Sequence, residues 1–573
     1  MHDLVIRDAQ VIDGSGSAPQ IADVAIDGGL ISGVGRGAGR ARREIDAGGR
    51  LLTPGWVDIH THYDGQAIWD DELAPSSWHG VTTAVFGNCG VGFAPVRPGS
   101  ESYLINLMEG VEDIPGSVLA QGLDFGWDSF PEYLDAVEAR PRALDVGAQM
   151  PHAALRFYVM GERGADHASR PTGAEIALMG ELLEQALRAG ALGFSTSRTV
   201  KHRAADGRPT PSLSAAEPEL MGLAAAMRRA GSGVLQVNSD FAPGEFEVLR
   251  GAAAHAGRPL SVLLLQTDQQ PDLWRDTLAR IHAARADGLG VNGQVGSRAI
   301  GLVMGLDTSA HPLSVRPAWR ELAALPAAAR HARLREDAAL RERLLREPPA
   351  APRDPLVQMM QRALASAFPL TEPLDYEPPP EATLGAQAAR SGRDALELAL
   401  EHMLSDGGRG LLLYPFENYA AGNYDAVREM LLDEATVCGL SDGGAHVGLI
   451  CDASAPTTLL THWARDRRRG PGLPLERLVK KQTRDTALAY GLADRGLIAP
   501  GLRADLNLIE FERLRVRLPR VHHDLPGGGR RILQRAEGYA HTFVAGVETF
   551  CDGEPTGARP GRLVRSAPSP AAA

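Results

Sequence analysis

TPGWVDIHTHYD, residues 53–64, joins a Pro-Gly turn to an apolar run that ends in two histidines. His60 and His62 stand two apart on a predicted strand, so both imidazoles leave the same face and can share one metal ion. A His-x-His pair alone is a weak signal. Its place at the end of the first of eight strand-like runs gives it weight. These runs cover residues 57–62, 81–88, 145–152, 192–198, 233–240, 260–267, 291–298 and 436–442. Helical patterns separate them, the order that builds a parallel sheet with crossover helices. A doubly wound sheet can also carry eight strands. Most of the runs close on a polar or ionisable residue, however, and a TIM barrel carries its active site at the C-terminal strand ends.

Outward from the barrel, residues 3–35 and 503–550 share a texture of short alternating strands broken by Gly, Asp and Ser. Neither piece buries a sheet alone. The expected organisation is a small β-sandwich domain built from residues 1–52 and 498–553, with a barrel domain, 53–497, inserted between its halves. An insertion at about 303–400 interrupts the barrel. It is Ala-, Leu- and Arg-rich over 318–351, then Pro-rich to about residue 380, and reads as a surface insertion or as a lid. Residues 554–573, rich in Gly, Pro, Ala and Ser, read as a loose tail.

The net charge of −12 and the absence of a concentrated basic footprint argue against nucleic acid. Four cysteines in 573 residues form no disulfide framework and no CxxC pair. No secretory signal pattern and no membrane-length apolar run is present, so a cytoplasmic location and no membrane partner are expected. Only Lys201, Lys480 and Lys481 are lysines, which leaves few candidates for any lysine-dependent chemistry.

PGWVDIHTH, GNCG (87–90), GALGFSTS (190–197), LSDGG (440–444) and GLIAPGLRADLNLIEF (496–511) together resemble the amidohydrolase superfamily. Within it they resemble the N-acyl-D-amino-acid deacylase (D-aminoacylase) group, over nearly the whole chain. The resemblance implies an α/β fold, a distorted TIM (β/α)8 barrel with a metal at its mouth, and the small β-sandwich domain beside it. It implies His60 and His62 as ligands from the first strand, Cys89 from the second, and Asp442 after the eighth. One zinc per chain, or another divalent metal, is the implied cofactor. The implied reaction is cleavage of the C–N bond of an N-acyl amino acid or related small-molecule amide. Metal-activated water attacks, with Asp442 as general base and acid; zinc lowers the pKa of its water to about 7. Cys89 as a buried apolar residue and Asp442 as a helix cap are the structural alternatives.

Two departures separate this chain from the deacylase pattern. Its fifth and sixth runs read VLQVNSD and VLLLQTDQQ, placing Asn238 and Gln266 where the group carries histidine ligands. Amides are weak zinc ligands, and the fourth run holds no lysine for a carbamate bridge, so a one-metal site is expected. Where the group has a His-Pro-Arg that holds the substrate carboxylate, this chain has Ala455, Pro456 and Thr457. Arg298, Arg156 and Arg198 are the candidate replacements for substrate binding. His152 is a candidate donor to the oxyanion. His202 and His446 are candidates for a ligand or a substrate contact. The same fold also admits a cyclic-amide hydrolase or deaminase, or a barrel that has lost hydrolysis and binds or cyclises its ligand. A homo-oligomer stays open.

Overall fold

The structure is a computed structural model that describes residues 1–349, 351 and 355–567. Residues 350 and 352–354 of the insertion, and 568–573 of the tail, lie outside the described residues.

Each of the eight runs contains a strand, and the eight form one parallel sheet in chain order: Trp56–Asp58, Val81–Phe86, Asp145–Pro151, Gly193–Arg198, Val234–Ser239, Leu260–Leu263, Val291–Val295 and Thr436–Cys438. Val81–Phe86 and Asp145–Pro151 are buried at every position, as a sheet covered on both faces requires. The first and last strands are only three residues long, so the barrel closes beyond them through irregular chain. There Asp442 N donates to His60 O at 3.1 Å and His62 N to Gly443 O at 2.8 Å. This closure brings the eighth-strand aspartate onto the two histidines. The distortion of the barrel is thus concentrated at its mouth.

The crossover helices are set by ordinary amphipathic logic. Gly173–Arg188 opens with a reciprocal capping box between Thr172 and Glu175, and buries Met179, Leu183, Ala186 and Leu187 along one stripe.

Both chain ends meet in a nine-stranded sheet, in which Leu51–Pro54 pairs antiparallel with Leu506–Ile509 and parallel with the end of His2–Val11. Not all of 503–550 joins it. Residues 515–537 leave the sheet, and their hairpin, Arg520–Leu525 with Gly529–Leu533, reaches the barrel mouth, where Ile532 N donates to Val447 O at 2.7 Å.

The expected loose tail is corrected over its described part. Gly561 N donates to Arg142 O, Val146 N to Arg562 O, and Leu563 is buried. Arg565 reaches Asp135 and Glu138. Small residues let this segment lie close against the strand at Asp145–Pro151, and a Cβ on Gly561 would meet Leu144 O at 2.2 Å.

The insertion has its own core, with Leu322, Leu334, Leu344 and Met403 fully buried among its helices, and a three-stranded antiparallel sheet of Ile300–Met304, Leu412–Glu417 and Phe368–Pro369. Its return strand is stitched to the sixth barrel strand's end: Asn418 N donates to Gln266 O at 2.7 Å, and Gln266 N to Asn418 Oδ1 at 2.9 Å. Among the described residues no helix is long and apolar enough to cross a membrane.

Candidate active site

His60 is wholly buried, and its Nδ1 lies 2.6 Å from Gln294 Oε1 on the seventh strand. Gln294 Nε2 donates to Ser261 Oγ, which fixes the amide with its oxygen toward the histidine. An amide oxygen only accepts, so His60 carries its proton on Nδ1 and leaves Nε2 bare as a metal ligand. Burial pushes the His60 pKa down to about 4, which keeps the ring neutral.

GNCG is a turn that aims a thiol. Asn88 Nδ2 donates to Thr61 O and Val85 O, and Gly87 has φ 77° where a Cβ would strike Gln149 O at 2.2 Å. Cys89 itself sits at φ 54° with its N–H on Gln236 Oε1. Its Sγ stands 3.4 Å from His60 Nε2. Burial raises the thiol pKa, so ionisation there needs a cation.

Asp442, at φ 48° and capping no helix, turns Oδ1 to 3.5 Å from His60 Nε2 and 3.8 Å from His62 Nε2. That oxygen is buried without a hydrogen-bond partner, and burial holds the carboxyl well above the usual carboxylate range. Donor atoms of His60, His62 and Cys89 lie within 4.8 Å of one another.

Glu112, absent from the sequence reading, completes the arrangement. It ends the helix Glu101–Glu112 and is buried, with Oε1 3.3 Å from His62 Nδ1 and Oε2 3.6 Å from His446 Nε2. Neither oxygen has a hydrogen-bond partner, and burial followed by Asp442 raises its pKa. A signal was present: an acidic residue in the last turn of a helix is opposed by the helix dipole and needs another reason to be there. The Asp442 carboxylate, a thiol and two imidazoles converge on one point, Glu112 stands behind His62 on Nδ1, and among the described residues neither carboxylate is paired with a lysine or arginine. That donor set fits a divalent metal, and its mixture of N, O and S fits zinc.

His202 and His446 belong to the same cluster. His202 accepts or donates at Ser197 Oγ, 3.0 Å away, and its Nε2 is 3.3 Å from Asn238 Nδ2. Asn238 in turn donates to Cys89 Sγ at 3.7 Å, so this substituted position does face the centre. Gln266 does not, because its Nε2 is directed to Pro271 O.

The other four candidates are corrected. His152 spends both ring nitrogens inside the fold, on Thr196 Oγ1 at 2.9 Å and Glu219 Oε1 at 3.0 Å, and has no proton left for an oxyanion. Arg156 is buried against Glu219, Pro211 O and Ser169 O. Arg198 is paired with Glu245 and Ala215 O. Arg298 is buried on Asp452 and Ser454 with Tyr376 stacked 3.8 Å beneath it. Burial works against the Arg298 charge, but Tyr376 and Asp452 outweigh it and raise its pKa. Of the three only Arg198 ends a barrel strand, Arg298 lying three residues past one and Arg156 inside the helix His152–Met160, and each already holds an acidic partner.

The space beside Asp442 measures only 20 Å³ and is lined by Gly444, Ala445, Ile450, Asp452 and the hairpin residues Arg531, Ile532 and Leu533. A far larger cavity of 640 Å³ lies between residues 372–377 and 461–469, away from His60. The candidate ligands mark the smaller space and not the larger void, and the hairpin residues Arg531, Ile532 and Leu533 cover it.

A profile of the Amidohydrolase family matches residues 43–555. The chain belongs to the amidohydrolase family. This amidohydrolase is 28% identical to an N-acyl-D-glutamate deacylase of Alcaligenes xylosoxydans xylosoxydans over 98% of its own length and 96% of the relative's. It is 37% identical to an uncharacterized protein of Mycobacterium tuberculosis (strain ATCC 25618 / H37Rv), over 34% of this chain and 32% of that protein. The match thus spans about a third of that relative. Among solved structures, D-aminoacylase matches with a TM-score of 0.65 at 24% identity, over 99% of this chain and 100% of that one. N-acyl-D-glutamate deacylase from Bordetella bronchiseptica, solved with zinc and a phosphonate inhibitor, matches with a TM-score of 0.63 at 23% identity, over 98% and 99%. These likenesses agree with the distorted barrel of the amidohydrolase.

Proposed function

We propose that this amidohydrolase is a metal-dependent hydrolase of a non-peptide amide, an N-acyl amino acid or a related N-acyl compound. The observation that carries this reading is the convergence of His60 Nε2, His62 Nε2, Cys89 Sγ and the unpartnered Asp442 Oδ1 at one buried point. Zinc held by these four residues would polarise the amide carbonyl and lower the pKa of water to about 7.

The chain supplies the rest. Asp442 takes the proton of the attacking water on its carboxylate and delivers it to the leaving nitrogen. Gln294 holds His60 in the ligand tautomer, and Glu112 backs His62. His202, Asn238 and His446 line the substrate side of the centre. The imidazole missing at Asn238 supports a single metal at this site. Arg156, Arg198 and Arg298 are all committed internally, so none of the three is free to hold a substrate carboxylate.

The experiment is product analysis of the zinc-loaded protein over acylated D- and L-amino acids, N-acyl amines, cyclic imides and lactams. Release of amine and carboxylate from an open-chain amide supports the reading, and Asp442→Asn is expected to lower kcat about 10²–10⁴-fold. Full turnover by Asp442→Asn, or ring opening of cyclic amides alone, contradicts it.

A further inference from the structure

Far from the barrel mouth, the hairpin of Tyr539–Val544 and Val547–Cys551 brings a second set of metal-ligand groups together. The register opposes His541 to Cys551 directly, and a bulge sets Glu548 opposite Phe543, on the face that His541 occupies. The tight turn at Ala545 and Gly546, with φ of 49° and 71°, fixes that register. His541 Nδ1 lies 2.5 Å from Glu548 Oε1, and ligand atoms of His541, Glu548 and Cys551 all lie within 4.8 Å of one another. In a tetrahedral zinc site, ligand atoms stand roughly 3.5 Å apart, a change within reach of side-chain rotation. Cys551 is a free thiol.

We propose that His541, Glu548 and Cys551 form a second, structural zinc site on the sandwich sheet, with water as the fourth ligand. The side chains of His541 and Glu548 are 19% and 13% exposed, sheltered enough to be held in place yet open to a water ligand. Nitrogen, carboxylate oxygen and thiolate sulfur are the zinc donor types, and the two anionic ligands balance the charge of the ion. Arg43 Nη2, 2.7 Å from Glu548 Oε2, holds the carboxylate from its other side and leaves Oε1 toward the site. Among the described residues, only Glu554–Pro555 lies beyond this hairpin at the sheet's end. A metal bridging the paired residues would staple the hairpin close to an edge.

The test needs no knowledge of the barrel chemistry. Full-length metal-free protein is titrated with zinc, the bound metal is counted, and Cys551 alkylation by iodoacetamide is followed by peptide mass spectrometry. The wild type is expected to bind one equivalent more than Cys551→Ser, His541→Ala or Glu548→Gln, and zinc is expected to slow Cys551 alkylation about tenfold or more. The alkylation arm uses the wild type and so does not depend on any variant folding. Equal stoichiometry in wild type and variants, or an alkylation rate indifferent to zinc, overturns the proposal.

Discussion

A histidine becomes a ligand or a bystander according to what its other nitrogen touches. His60 has an amide oxygen on Nδ1 and therefore presents Nε2 to the centre; His152, equally buried, has both nitrogens taken by Thr196 and Glu219. Removing the Gln294 acceptor with Gln294→Leu is expected to weaken zinc binding about 10–100-fold, whereas Gln294→Glu keeps an acceptor and most of the affinity. Zinc competition against a chelator measures both, and unchanged affinity in Gln294→Leu would show that the tautomer is not set there. The proposed ligand residues stand out in the sequence because each sits in a short motif just past a strand. Glu112 and Gln294 do not, since their roles arise from which strands and loops the closed barrel brings opposite one another. The arginine roles were misread for a related reason, in that strand-end position does not specify the direction of a long side chain.

At the scale of elements, the eight strands were legible because short runs closing on polar residues alternate with helical patterns. The hairpin over the mouth was not, because its alternation is that of any two-stranded ribbon. Arg531 secures it through Asp524 at 2.8 Å and Ala74 O at 3.1 Å. Arg531→Ala is expected to speed amide exchange in both 520–533 and 441–452 while leaving the barrel strands protected; unchanged exchange in 441–452 would separate the hairpin from the site. The insertion is anchored by Glu377, which binds Arg467 at 3.0 Å and His462 at 3.1 Å. Burial raises its pKa, but the His462 and Arg467 contacts outweigh burial and hold it down at about 2. A carboxylate depressed from its ordinary value near 4.5 contributes its full stability above that pH and loses it as the pH falls toward 2. Acid titration of wild type and Glu377→Gln checks this: the wild-type advantage should shrink through that window, and an advantage that persists to pH 2 or vanishes above pH 5 would contradict it.

For the whole molecule, the decisive link runs between the barrel and the sheet built from both chain ends. Asp145, on the third barrel strand, binds Arg495 at 2.7 Å and Arg503 at 2.9 Å with all three buried. Asp145→Ala leaves two buried guanidiniums short of a partner and is expected to cost about 3–5 kcal/mol in denaturant unfolding; a loss under about 1 kcal/mol would mean that Asp505 compensates. The sequence motifs around Asp145 and Arg503 pointed to a barrel and a sheet, but the contact between them is three-dimensional and had no local signature. The account rests finally on one metal in the barrel. Its most direct test is zinc titration of metal-free Cys551→Ser protein while following hydrolysis of an N-acyl amide. Activity should rise from zero to a plateau at one equivalent and stay absent in the same protein carrying His60→Ala; full turnover without metal, or undiminished turnover after His60→Ala, would contradict it.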